Sequence, residues 1–303
     1  MTKKHTFGGE TWTQQKLRCV EDYSKAWSKI MLSNKNKFGW RTRYIDAFSG
    51  TGTYQPSATK QLENLSLFGE LEGNNDPDVN LKDGSAKIAM NVDPPFDRID
   101  LIELDGSHAA KLRELARNQI GERVFVHEMD ANEGLTQIAR TLSKNERALA
   151  FIDPYGCQVS WSTLERIAST GVTDVWYLFP TMGINRQLDA NIDDIPPYKE
   201  QTLTRVLGTD EWKTAFYGND EPVTDLFGDP LPRPRNAGPT AVENFFIKRL
   251  KTIFPAVHDE CLQLRNSRNG HLFSLCFAVS SKSQRAQELA LKIAKQNIKR
   301  WGK

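Results

Sequence analysis

The segment Arg43-Tyr44-Ile45-Asp46-Ala47-Phe48-Ser49-Gly50-Thr51-Gly52 constrains this chain more than any other. An apolar run ends on an acid and enters a tight turn with two glycines. Doubly wound α/β proteins present backbone to a nucleoside-containing cofactor in this way, at the carboxyl end of a first strand. The details choose among cofactors. A dinucleotide site needs G-x-G-x-x-G, and the third glycine position here is Gln55. No Lys-Ser or Lys-Thr pair follows, which excludes a P-loop. A short G-x-G with an acid four residues before Gly50 fits S-adenosylmethionine (SAM), which has no phosphate to cradle.

Three later segments end in the same manner. Residues 98–105 read as a second strand, apolar at Ile99, Leu101 and Ile102, with a helix over 106–118 behind it. Glu103 continues the apolar run and is the candidate for both ribose hydroxyls; Asp105 is placed to cap the helix. A third strand, from Arg123, ends at Asp130. That acid is open to two roles, accepting the adenine amino group or N-capping a helix that begins near Asn132.

The fourth strand, residues 147–152, runs into Asp153-Pro154-Tyr155-Gly156. An exocyclic amine is a poor nucleophile because its lone pair is delocalised into the base. The Asp153 carboxylate and the Pro154 carbonyl form an acceptor pair that binds the amine hydrogens and localises that lone pair. Tyr155 supplies a stacking face for a base, and most of the rate gain would come from orientation. The same four residues also suit a plain β-turn.

Taken together, Tyr44–Gly52, Gly84-Ser85-Ala86, Ile102–Asp105, Phe151–Gly156, Trp161–Leu164, Thr173–Pro180 and Ile184-Asn185-Arg186 resemble the three-Cys-motif partner proteins. The resemblance covers residues 12–186 well and the remainder loosely. It implies a Rossmann-like, SAM-dependent methyltransferase fold with a seven-stranded, mostly parallel sheet of order 3-2-1-4-5-7-6. It also implies SAM as cofactor and a partner that carries a three-cysteine motif and is similar to radical-SAM iron–sulfur enzymes. Asp46, Gly50 and Gly52 would hold the methionine end, Glu103 the ribose and Asp130 the adenine. Phe48, Ser49, Leu104, Ala131 and Asp153 complete the cofactor-binding set, and Asp153, Pro154 and Tyr155 the catalytic one. The Asp-Pro-Tyr-Gly element resembles the Asp-Pro-Phe-Gly of tRNA guanine-N2 methyltransferases. It departs from the Asp-Pro-Pro-Tyr of adenine-N6 enzymes in its single proline and in the glycine after the aromatic. The expected activity is therefore N-methylation of a nucleic-acid base. A non-catalytic SAM-binding subunit of the iron–sulfur partner, or a small-molecule methyltransferase, are the alternatives.

The chain's 303 residues suffice for a full core. A net charge of +2 does not by itself announce a nucleic-acid binder. Residues 240–303 nevertheless hold twelve Lys/Arg against four Asp/Glu, and residues 189–229 hold ten acids against three bases. Helical spacing of Lys292, Lys295, Lys299 and Arg300 is compatible with a solvated face. Cys19, Cys157, Cys261 and Cys276 include no C-x-x-C, so no metal site is expected in this chain. Free thiols, the lack of a leader pattern and of any membrane-spanning apolar run lead to a cytoplasmic expectation.

The organisation read from the sequence is a helical cap over 1–40 and a SAM-binding core over 41–186. A helical insertion with a Pro-rich linker follows over 187–239, then the closing part of the core over 240–303. The cap carries a helix over 13–33, with Leu17, Val20, Tyr23, Ala26, Trp27, Ile30 and Met31 on one face. Residues 53–83 read as an excursion before a helix opened by Gly84-Ser85. Residues 173–179 read as strand five and 218–239 as linker. Residues 259–265 and 271–279 read as a hairpin around Asn269-Gly270.

Overall fold

The computed structural model describes residues 12–54, 82–118, 121–218, 227 and 231–302. Its centre is a sheet of β1 (Arg41–Asp46), β4 (Arg98–Glu103), β5 (Val124–Glu128), β6 (Glu146–Ile152), β7 (Thr173–Phe179), β8 (Ala256–Val257), β9 (Leu262–Arg265) and β10 (His271–Val279). The spatial order is β5-β4-β1-β6-β7-β10-β8, with β9 also paired to β10. The first five strands are mutually parallel, and β10 runs antiparallel to β7. The sheet thus has eight strands rather than the expected seven. The outermost position is divided between two short strands, β8 opposite residues 278–279 and β9 opposite 271–275. β2 (Thr53–Tyr54) and β3 (Lys82–Asp83) form a separate ribbon at the two ends of the excursion. The segment between them lies outside the described residues, as does most of the Pro-rich linker.

The inner strands β1, β4, β6 and β7 bury both faces, whereas the edge strand β5 leaves Phe125 and Glu128 exposed. Helices α1 (Trp12–Phe38), α2 (Ser85–Met90), α3 (Gly106–Asn118) and α10 (Gln284–Trp301) contribute to the core on one face. Helices α4 (Ala131–Thr141), α5 (Trp161–Ala168), α6 (Thr181–Gln187), α7 (Pro197–Leu207), α8 (Trp212–Tyr217) and α9 (Pro239–Ile253) contribute on the other. The cap helix is longer than its periodic stretch, starting at Trp12 and ending at Phe38. Its Leu17, Val20, Tyr23 and Trp27 are all at least 94 % buried. Each such side chain contributes roughly 1.5–3 kcal/mol. Tyr23 Oη and Trp27 Nε1 also donate to Asp174 on β7, at 3.0 and 2.9 Å.

One expectation about cysteine is overturned. Cys261 and Cys276 are joined in a disulfide, while Cys19 and Cys157 are free. A separation of 15 residues gave no sign of the pairing. The β9–β10 hairpin brings the two together, both buried. Among the described residues no helix is long and apolar enough to cross a membrane. Nor do three or more His, Cys, Asp or Glu side chains converge there as a metal site.

Candidate cofactor and acceptor site

Three acids named from the sequence end adjacent strands of the sheet: Asp46 on β1, Glu103 on β4 and Asp153 just after β6. The glycine turn after β1 lies between the last two. Gly50 N–H donates to Glu103 Oε2 at 2.8 Å, and Ser49 N–H donates to the Ile102 carbonyl at 3.1 Å. Glu103 Oε1 accepts from Asp105 N–H at 2.9 Å. The carboxylate expected at a ribose therefore also fastens the glycine turn to the neighbouring strand end. Gly52 has φ +79°, and a Cβ there would stand 2.7 Å from Leu115 Cδ2. Only glycine gives this turn both its left-handed conformation and its close approach to α3.

Asp46 is fully buried, and its Oδ2 has no hydrogen-bond partner among the described residues. Its Oδ1 accepts a long bond from Phe48 N–H, at 3.4 Å. Burial pushes this carboxyl up to about 7, and the Asp153 carboxylate adds to the rise. The Ser85 hydroxyl, Phe48 N–H and Lys16 oppose it. A buried carboxylate oxygen without a donor lacks the compensation that burial demands. A cationic donor such as the ammonium at the amino-acid end of SAM would supply it.

Leu104, next to Glu103, is 68 % exposed, an apolar surface at the strand end of the kind an adenine face covers. Ala131 is buried, Ser49 is buried with its hydroxyl donating to the Asp46 carbonyl at 3.1 Å, and Phe48 is half-buried against the core. Asp130 shows the capping role: its Oδ1 accepts from Asn132 N–H at 2.8 Å and Glu133 N–H at 3.3 Å. Asp105 caps as expected, with Oδ1 accepting from His108 N–H at 2.9 Å.

On the acceptor side the structure adds two residues. The first is Lys16, buried on α1, whose ammonium is paired with Asp153 Oδ2. The same ammonium lies 5.2 Å from the Trp12 ring centroid, and Trp12 packs on Phe273 at 5.1 Å. The cap helix thus completes the site. The second is Arg205 on α7, whose Nη2 donates to the Cys157 carbonyl at 2.6 Å and Nη1 to the Gln158 carbonyl at 3.1 Å. Gln158 Oε1 in turn accepts from Tyr155 N–H at 3.0 Å. Asn132 also holds this loop, through Gln158 and Ser160. Neither addition had a local sequence signal beyond its charge. Lys16 only borders the apolar face of the cap, and Arg205 lies in an acidic segment.

Pro154 is buried, whereas Tyr155 is 67 % exposed. A Cβ on Gly50 would lie 3.8 Å from the Tyr155 hydroxyl, so that ring bridges the acceptor turn and the cofactor turn. Burial raises the Cys157 thiol, to about 11, so this cysteine is not an activated nucleophile.

No family model and no curated protein matches the chain. Among solved structures it is similar to protein LPL1258 from Legionella pneumophila, at 14% identity over 91% of this chain and 90% of that one, TM-score 0.45. It is also similar to a conserved hypothetical protein from Streptococcus pyogenes, at 13% identity over 50% of this chain and 76% of that one, TM-score 0.29. A third likeness is to yhhF from Escherichia coli, a provisionally assigned methyltransferase, at 12% identity over 51% of this chain and 68% of that one, TM-score 0.26. Likenesses of this size carry no argument about what the site does, and that argument rests on geometry.

Proposed function

We propose that the protein is a SAM-dependent methyltransferase acting on an exocyclic amine of a nucleic-acid base. The observation that carries this reading is Asp46 Oδ2, a fully buried carboxylate oxygen without a partner, beside the turn that Glu103 fastens. SAM, when bound, supplies the electrophilic methyl group. Asp46 and the glycine turn would hold its amino-acid end, Glu103 its ribose, and Leu104 with Ala131 and Asp130 its base. The protein's own part in transfer is orientation. Asp153 and the Pro154 carbonyl accept the amine hydrogens and aim the lone pair, and Tyr155 stacks on the base. Calorimetric titration with SAM and with its demethylated product tests the cofactor half. Labelled methyl transfer to RNA and DNA tests the acceptor half. Absence of binding to both cofactor forms would remove the reading for the isolated chain.

A second reading is supported by one contact. Asp153 is already satisfied by Lys16, as it would be in a non-catalytic SAM-binding subunit of a three-Cys-motif iron–sulfur partner. Under that reading SAM binds, the partner co-purifies in stoichiometric amount, and neither protein transfers a methyl group alone.

A further inference from the structure

Asp153 faces two demands. As the acceptor for an amine it needs an open oxygen and its full charge, yet its Oδ2 is bonded to the Lys16 ammonium. The ion pair neutralises the charge that makes a carboxylate a strong acceptor. Lys16 is buried, so water does not exchange freely with this contact. A carboxylate that is to hold a base must first be released.

The surroundings of Lys16 hold the means. An ammonium has three N–H donors. Among the described residues, Asp153 Oδ2 is the one acceptor bonded to Lys16 Nζ. One turn away on α1, Trp12 packs on Phe273 at 5.1 Å, and its Nε1 is buried without a partner. The Trp12 ring centroid lies 5.2 Å from Lys16 Nζ. Donors therefore outnumber acceptors on this side of the site. On the other side Asp46 Oδ2 is buried without a donor. The charges of Lys16 and Asp153 both act on Asp46, so the three groups belong to one cluster. Unpaired buried polar groups are rare, and a cluster with both kinds fits a ligand that brings both complements.

The amino-acid end of SAM has that character, with an ammonium and a carboxylate on one carbon. The charges agree. Without ligand the cluster holds two acids, Asp46 and Asp153, against one ammonium, Lys16. SAM adds an ammonium, a sulfonium and a carboxylate, which leaves positive and negative groups equal in number. With the ligand ammonium at Asp46, the ligand carboxylate falls to Lys16 and Trp12.

We propose that Lys16 exchanges partners. It holds Asp153 closed in the free protein and turns to the ligand carboxylate beside Trp12 Nε1, which frees Asp153 Oδ2 for the amine. A flexible stem ending in a point charge suits such a movement. Cofactor binding then precedes base binding. The exchange rests on the SAM reading of the site, and it makes the Lys16–Asp153 pair a step in binding rather than a mark of a non-catalytic subunit.

The test is calorimetric titration of the full chain and of its Lys16→Met, Asp153→Asn and Lys16→Met/Asp153→Asn variants with SAM and with decarboxylated SAM. The second ligand keeps the ammonium and the sulfonium and lacks only the group that draws Lys16. The ratio of the SAM affinity to the decarboxylated-SAM affinity therefore reads the exchange. It is expected to fall about tenfold in Lys16→Met, which loses a charge-assisted bond. In Asp153→Asn it is expected to rise about tenfold, because Lys16 no longer has an ion pair to leave. Relief of repulsion between Asp153 and the ligand carboxylate would raise it as well, and the double variant separates the two causes. Under the exchange the double variant has the ratio of Lys16→Met. A higher ratio in the double variant than in Lys16→Met would overturn the exchange. So would a ratio in either single variant equal to that of the parent. The double variant strands neither charge, so its comparison with Lys16→Met stands even if Asp153→Asn does not fold. Binding of both ligands at one ratio in all four proteins removes the exchange alone. Binding of neither ligand by the parent removes the SAM reading, and the exchange with it.

Discussion

Lys16 and Asp153, 137 residues apart in sequence, form an ion pair at the carboxyl edge of the sheet. The pair joins the cap helix to the acceptor turn, and both side chains are largely removed from solvent. Losing one partner of such a pair strands the other, at a cost of about 3 kcal/mol. Lys16→Met is therefore expected to lower stability by about that amount, measured by denaturant unfolding. The double variant Lys16→Met/Asp153→Asn should recover most of it, and a cycle showing no coupling would remove the structural role of the pair. Asp153→Asn alone is expected to keep SAM binding and lose transfer.

Asp46 and Asp174 give the protein an unusual pH dependence. Burial raises them to about 7 and about 6. A carboxyl raised in the folded state contributes stability that is present below its unfolded value and lost as pH rises through its folded one. Asp100, held low by His127, Arg98 and Arg43 despite burial, acts in the opposite sense in acid. Calorimetry should therefore show a higher melting temperature near about pH 5 than near about pH 8. Asp46→Asn should raise the melting temperature at the higher pH.

The same group makes cofactor binding pH-dependent. A ligand ammonium favours ionised Asp46, so SAM binding releases a proton when the free protein holds one. Affinity is expected to rise by up to about tenfold between about pH 6 and about pH 7.5. Titration in buffers of different ionisation enthalpy reads the proton directly. The Asp46→Asn protein should show no such release.

Glu103 accepts from Gly50 and Asp105. In Glu103→Ala the turn loses its tie and the ribose its acceptor. The loss of charge-assisted bonds, about 1.5–3 kcal/mol, corresponds to roughly ten- to a hundredfold in SAM affinity. Unchanged SAM binding by a folded variant would remove this assignment.

Arg205 reaches the acceptor turn from the acidic insertion. Arg205→Met should leave SAM affinity alone and lower kcat/KM for the acceptor about tenfold. Arg205→Lys, a single point of charge, should not restore a grip on two carbonyls. A change in cofactor affinity instead would place this loop on the other side of the site.

Much of the fold was legible because it is local. Strand ends, the Gly50–Gly52 turn and the caps at Asp105 and Asp130 each depend on residues a few positions apart. The hairpin was marked in the same way by Asn269-Gly270, where Asn269 takes φ +61° and Asn266 Oδ1 accepts from Gly270 N–H at 2.7 Å. The eighth strand was not legible, since β8 is two residues long and exists only because β10 extends past β9.

The sequence by itself determined where the acids fall, at the ends of buried parallel strands, since hydrophobic period and glycine conformation act along the chain. Tertiary structure alone decided which charges meet: Lys16 with Asp153, Arg205 with the 157–158 carbonyls, and Arg300 with Asp22. It also decided which cysteines pair. Burial and dielectric belong to the packed molecule, and so does the partnering that makes Asp46 an unsatisfied buried acid rather than a solvated one.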